Sequence, residues 1–166
     1  MAIIENPLFI SSSGLTTTLG FGFGVDRYKD DEPKCTVQND RIVGVSWYCS
    51  ENEKRVEVMP SFEELRSITA LPTPDMKHMI VVLCVGRESV IYPNNAFIYD
   101  VRGNHVNTLI APNKKLISTE NIYWYQSDPE KMLVAFEEDY GFYTQEFTFS
   151  TVDFKVDLPK VARRRL

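Results

Sequence analysis

The stretch His78-Met79-Ile80-Val81-Val82-Leu83-Cys84-Val85 sets the reading of this chain. Its seven consecutive apolar residues, Met79 to Val85, fall far short of the ~20 that a membrane-crossing helix needs. The run is rich in β-branched side chains and ends at the turn-forming Gly86-Arg87-Glu88, so it reads as a fully buried β-strand. A short strand, Ser89–Tyr92, follows that turn. Ala96–Val101 and His105–Ile110 then flank Arg102-Gly103-Asn104, a glycine hairpin turn. Asn121–Gln126, Met132–Glu138, Phe142–Phe149 and Thr151–Asp157 continue the series, with polar turns at residues 127–131 and 139–141. Strands at intervals of about 8–12 residues predict a mostly β chain: an antiparallel meander, sandwich or half-barrel, with residues 78–157 in one antiparallel sheet. Residues 121–149 resemble a single propeller blade, but one or two blades cannot close a propeller, so only the meander is retained.

Upstream, Arg41–Cys49 and Arg55–Met59 alternate with period two around the polar Ser50–Lys54, which predicts a hairpin. One helix is predicted, over about residues 61–70: Ser61 stands three residues before Glu64, and Phe62, Leu65 and Ile68 share a helical face. Pro72 and Pro74 would end it. Ile3–Ile10 reads as a short strand broken at Pro7. Residues 1–34 as a whole, Ser/Thr/Gly-rich and then charged, are free to be irregular. Gly20, Gly22 and Gly24 alternate with Phe21 and Phe23 without the spacing of a phosphate loop. Arg163, Arg164 and Arg165 read as a frayed basic tail over 160–166. The whole of 1–166 fits one domain that buries roughly 70% of its unfolded surface. Its core is expected to hold Val43, Val45, Trp47, Ile80, Val82, Phe97, Tyr99, Leu133, Ala135, Phe147 and Phe149.

Composition narrows the function. A net charge of −5 and a pI near 5.1 argue against a dedicated nucleic-acid binder, which needs clustered Lys and Arg. The same balance suits a basic partner. Three cysteines, Cys35, Cys49 and Cys84, without paired spacing, argue against a disulfide framework. Cys49 and Cys84 read as small hydrophobes within strands. With no secretory signal in Met1–Glu5, the expected location is a reducing cytoplasm, with no membrane contact.

Chemistry is sparse. His78 and His105 have no metal-ligand neighbour in sequence and read as solvated or capping residues. There is no nucleophile elbow, phosphate loop or zinc ribbon, so no catalytic residue, metal or cofactor is expected. Carboxylates cluster at Glu137-Glu138-Asp139, beside Tyr140, and at Asp30-Asp31-Glu32. Such clusters serve solubility or the recognition of a cationic partner, and aromatic neighbours favour an interface. A carbohydrate- or small-ligand-binding module would instead need an aromatic platform such as Trp47, Tyr123 or Tyr125. A hydrolase would need perturbed acids in a polar cleft.

The segment Tyr92-Pro93-Asn94-Asn95-Ala96-Phe97-Ile98-Tyr99-Asp100-Val101-Arg102-Gly103-Asn104 resembles a pattern of small bacterial all-β immunity proteins of polymorphic toxin systems, including contact-dependent growth inhibition. The aromatic meander from Ile122 to Phe154 is similar in character, and together they cover about a third of the chain. The resemblance implies a non-enzymatic protein that binds and neutralises a cognate toxin domain, often a basic nuclease, in the producing cell. It carries over no binding residue. The acidic residues Glu137, Glu138, Asp139, Asp30, Asp31 and Glu32, with the aromatic Tyr140, are therefore candidates on their chemistry alone.

Overall fold

The computed structural model describes residues 1–19, 41–62, 64–138 and 143–158, together with the backbone of 162–165. It contains three four-stranded antiparallel sheets. The first holds β1 (Ile4–Ser11), β2 (Thr16–Thr18), β3 (Ile42–Cys49) and β4 (Lys54–Val58), in the order β2-β1-β3-β4. The second is a meander of β5 (Ser67–Pro72), β6 (His78–Cys84), β7 (Ala96–Asp100) and β8 (His105–Thr108). The third is a meander of β9 (Leu116–Trp124), β10 (Lys131–Glu138), β11 (Tyr143–Ser150) and β12 (Ala162–Arg165). The predicted stretch 78–157 is thus divided between two sheets rather than forming one.

The second sheet is a wall shared by two cores. On β6, Met79, Val81 and Leu83 pack with Phe9, Val45 and Trp47 of the first sheet. The alternate residues Ile80 and Val82 pack with Ile122, Val134, Phe136 and Phe147 of the third. Period two sends successive side chains to opposite faces, so a strand with no solvent face must be apolar throughout. This is the physical basis of the run Met79–Val85.

Polar groups tie the outer sheets to this wall. The Trp47 indole donates to the Val101 carbonyl at 2.7 Å, and the Trp124 indole donates to the Pro72 carbonyl at 2.7 Å. Asn95, almost fully buried, donates to the carbonyls of Leu83 and Thr119 at 2.8 and 2.9 Å and accepts the Thr119 amide at 2.6 Å. A buried amide side chain is tolerable only when paired, and here the pairing joins β6 to β9.

The predicted helix at 61–70 does not form, and no helix occurs among the described residues. Residues 67–72 are β5 instead, paired with β6 from Ser67↔Cys84 to Pro72↔Met79. The edge of β6 offers a full ladder of hydrogen bonds, and Ile68 and Ala70 enter one core while Leu71 enters the other. That tertiary gain outweighs a capping signal worth about 1 kcal/mol. Pro72 is tolerated because β5 is an edge strand.

Four further expectations are corrected. Ser89–Tyr92 is a run of turns, with Val90 fully exposed, because the Tyr92 hydroxyl bonds both the amide and the carbonyl of Val85 at 3.0 Å and folds the loop back. Thr151–Asp157 turns rather than extends, with only Val156 bridging to Phe149. Arg163, Arg164 and Arg165 are not a frayed tail: their backbone forms β12, opposite Gln145, Thr144 and Tyr143. Among the expected core residues, Val45, Trp47, Ile80, Val82, Ala135, Phe147 and Phe149 are buried, but Val43, Phe97, Tyr99 and Leu133 are only half-buried. On β10 the face that meets the core is Met132, Val134 and Phe136, not Leu133 and Ala135. The hairpins at 50–54 and 102–104 form as read, with Gly103 in the left-handed region at φ +85. β1 is irregular at Asn6–Pro7, where its register against β3 shifts.

Phe147 is 1% exposed and stacks edge-on against Phe136 at 5.9 Å. Phe147→Ala is expected to cost about 3–5 kcal/mol in urea unfolding. A loss below about 1 kcal/mol would show that this face is not core.

Candidate partner-binding site

The β10–β11 hairpin carries the first acidic cluster. Glu137 lies opposite Ser118 on β9 and Thr144 on β11, and Glu138 lies opposite Leu116. Asp139 and Tyr140 lie outside the described residues, as do Asp30, Asp31, Glu32, Cys35 and the Gly20–Gly24 alternation. Of the two acids described, Glu137 is half-buried and Glu138 is buried.

What organises Glu137 is a feature of β9 that the sequence pattern conceals. The register of β9 against β10 shifts twice, between Ala135 and Phe136 and between Glu137 and Glu138, leaving Glu120 and Ile117 as extra residues. A bulge bends its strand and re-aims side chains. Here the Ser118 hydroxyl stands 2.8 Å from Glu120 Oε1 and 3.0 Å from Glu137 Oε2. One hydroxyl carries one proton, so it can donate to only one carboxylate at a time. Burial raises the Glu120 pKa above its ordinary value. The Glu137 carboxyl raises it further, while the Ser118 hydrogen bond pulls it down. Glu120 nevertheless keeps an exposed flank. When both are ionised the pair is acceptor-only, and it is suited to take a cationic group.

Beside Glu120 is a small cavity of about 160 Å³ between the second and third sheets, lined in part by Ser67, Thr69, Cys84, Tyr92 and Thr119. Cys84 is exposed at the end of β6, contrary to its reading as a core hydrophobe, whereas Cys49 is buried as expected. His78 stands at the opposite end of β6, half-buried with its ring edge-on to Phe154 at 5.0 Å. Burial lowers its pKa, which goes against the solvated half of its solvated-or-capping reading. His105 is exposed and bonds Thr108 at 2.9 Å. Among the described residues no group of three His, Cys, Asp or Glu could hold a metal. The Glu120 and Glu137 carboxylates are brought together on the one Ser118 hydroxyl. Of the aromatics considered for a ligand platform, Trp47 is fully buried, while Tyr123 and Tyr125 are half-buried.

The Tyr92–Asn95 segment has a structural role throughout. Tyr92 ties to Val85, Asn94 accepts the Ala111 amide at 2.9 Å, and Asn95 joins two sheets. Ser118 and Glu120 were invisible as site residues because their meeting with Glu137 depends on the bulges. The one sequence signal is the polar Ser118-Thr119-Glu120 interrupting an otherwise strand-like run.

The three-sheet fold has a counterpart among solved structures. It matches a chain of the structure described as Tne2 in complex with Tni2, with a TM-score of 0.59, 13% sequence identity and 99% of each chain covered. No protein-family model and no curated protein matches the chain. No helix among the described residues is long and apolar enough to cross a membrane.

The sign of the Glu120 shift gives a pH test. A carboxyl whose pKa is higher folded than unfolded binds its proton more tightly when folded. Its contribution favours the folded state at low pH and is lost as pH rises from the ordinary glutamate value through the raised one. Glu120→Gln is expected to abolish that decline, leaving the variant more stable than the parent at pH 7 but not at pH 4. Thermal unfolding across that range reads it, and identical pH profiles for the two proteins would contradict it.

Proposed function

We propose that this chain is an immunity-type protein: it performs no catalysis itself, and it binds and neutralises a cognate toxin domain. The observation that carries this reading is the end-to-end fold likeness to a chain from a structure of two proteins in complex, Tne2 with Tni2. The immunity-like segment Tyr92–Asn104 supports it from the sequence side. In this reading the toxin is a basic nuclease, the setting is a contact-dependent growth inhibition system, and the encounter takes place in the bacterial cytoplasm.

The binding residues in this proposal are Glu137, Glu138, Asp139 and Tyr140 first, and Asp30, Asp31 and Glu32 second. Glu120 joins the first group through its shared hydrogen bonds with Ser118. A phosphate-gripping surface is rich in Lys and Arg. A guanidinium or ammonium placed at Glu120 and Glu137 would neutralise two crowded carboxylates at once. That favours binding at the contact and speeds encounter at a distance.

Co-expression with a toxin-like reading frame found next to this one in the genome tests the reading. Restored growth and co-elution of the two purified proteins are expected. Unrelieved toxicity, with no complex on size-exclusion chromatography, would overturn it. Replacing Glu137, Glu138 and Asp139 together by Ala is expected to weaken the complex by about 2–5 kcal/mol and to flatten its salt dependence. Circular dichroism of the variant separates lost binding from lost folding. Full protection by a folded triple variant would return the cluster to a role in solubility.

A further inference from the structure

At the Cys84 end of the second sheet lies a second cavity, of about 480 Å³, whose lining differs in chemistry from the acidic site. Arg41 reaches it from the start of β3, Arg66 from just before β5, and Arg87 from the turn after β6. Glu64 and Glu88 also line it, and Leu65 is its one large apolar residue. In a chain of net charge −5, three arginines drawn from three separate segments meet around one opening. Among the described residues, the salt bridges are Arg102 with Glu51 and Lys131 with Asp157, so none of these three guanidiniums is held in an ion pair.

The local backbone supports the arrangement. The Arg66 amide donates to the Cys84 carbonyl at 2.8 Å, extending the β5–β6 ladder by one bond and fixing where Arg66 leaves the sheet. The Leu65 amide donates to the Phe62 carbonyl at 3.1 Å, turning the chain so that Glu64 lies against Gly86. The Glu64 carboxylate lies over the open face of Gly86, where a Cβ would displace it.

We propose that this cavity is a binding site for a compact polyanion, a ligand presenting two neighbouring phosphate or carboxylate groups. Guanidinium cannot lose its proton in a protein, so three of them around one cavity keep their charge at every working pH. Each offers a planar fork that fits a phosphate or carboxylate in a two-point contact. The lining carries three positive and two negative side chains, so it attracts anions while Glu64 and Glu88 oppose them. The volume exceeds one phosphate and falls within the range of small-ligand sites. With no aromatic residue in the lining, nothing there stacks a base or a sugar, and recognition rests on the anionic groups themselves.

The assignment is tested on the protein alone, without a toxin partner. Isothermal titration with pyrophosphate, with orthophosphate and with a tetra-aspartate peptide separates a free phosphate ligand from an acidic chain segment. Saturable binding of pyrophosphate or of the peptide, tighter than that of orthophosphate, is expected. Arg66→Gln and Arg87→Gln should each weaken it by about tenfold, equivalent to about 1.4 kcal/mol. Glu64→Gln removes the resident competing charge and should tighten binding. Both arginines are exposed, so unfolding midpoints are expected to stay with the parent. Two results would overturn the assignment: no saturable binding of either polyanion, or binding that all three variants leave unchanged.

Discussion

Everything in this fold depends on β6 having no face to the solvent. A strand covered on one side alternates apolar and polar residues, and its sheet closes a single core. Here Met79, Val81 and Leu83 serve one core and Ile80 and Val82 another, so one strand carries the register of two packed layers. Slipping β6 by one residue would exchange the two sets of side chains between cores shaped for different partners. Its neighbours β5 and β7 are fixed by the ladders on either side of it, and the outer sheets are fixed by what they bury against it.

Apolar burial alone does not set the angle or depth at which sheets meet. The two indoles and Asn95 supply direction: the indoles bond from one sheet to the next, and Asn95 bridges Leu83 of the second sheet to Thr119 of the third. Leaving such a buried group unpaired costs about 1–3 kcal/mol, which disfavours other dockings of the same surfaces. The acidic site follows from this anchoring. Thr119 is held to Asn95, and on either side of it the bulges at Glu120 and Ile117 take up the mismatch between β9 and β10. Glu120, Ser118 and Glu137 meet because β9 is pinned to the wall at Thr119, as well as at Trp124, and bends on either side of Thr119.

Most of the strand order was legible in the sequence, because period-two patterning and turn residues are local signals. Ile42–Cys49, Lys54–Val58, His78–Cys84, Ala96–Asp100, His105–Thr108, Lys131–Glu138 and Tyr143–Ser150 read directly from them, whereas Ala162–Arg165 and the first half of Leu116–Trp124 did not. What failed was non-local. The helix-start signal at Ser61 and Glu64 runs into Ser67–Pro72, yet the free edge of β6 recruits that stretch as a strand. Leu133 and Ala135 alternate as well as Met132 and Val134 do, and only the pairing with β11 and the position of the third sheet decide which set is core. Glu137 was legible as a candidate, but its partners Ser118 and Glu120 were not, since bulges leave no mark in an alternation pattern. The arginine cavity was equally hidden, its residues lying in three separate segments of the chain, around Arg41, Glu64–Arg66 and Gly86–Glu88, that only the folding of the strands brings together.

Amide hydrogen exchange on the free protein tests the shared wall most directly. A strand hydrogen-bonded on both edges and buried on both faces opens only with the whole fold, whereas edge strands open locally. The amides of Met79–Leu83 are therefore expected to exchange slowest, at the rate set by global unfolding, with those of the edge strand β8 far faster. Exchange of Met79–Leu83 as rapid as that of His105–Thr108 would contradict the shared wall, and with it the placement of both sites.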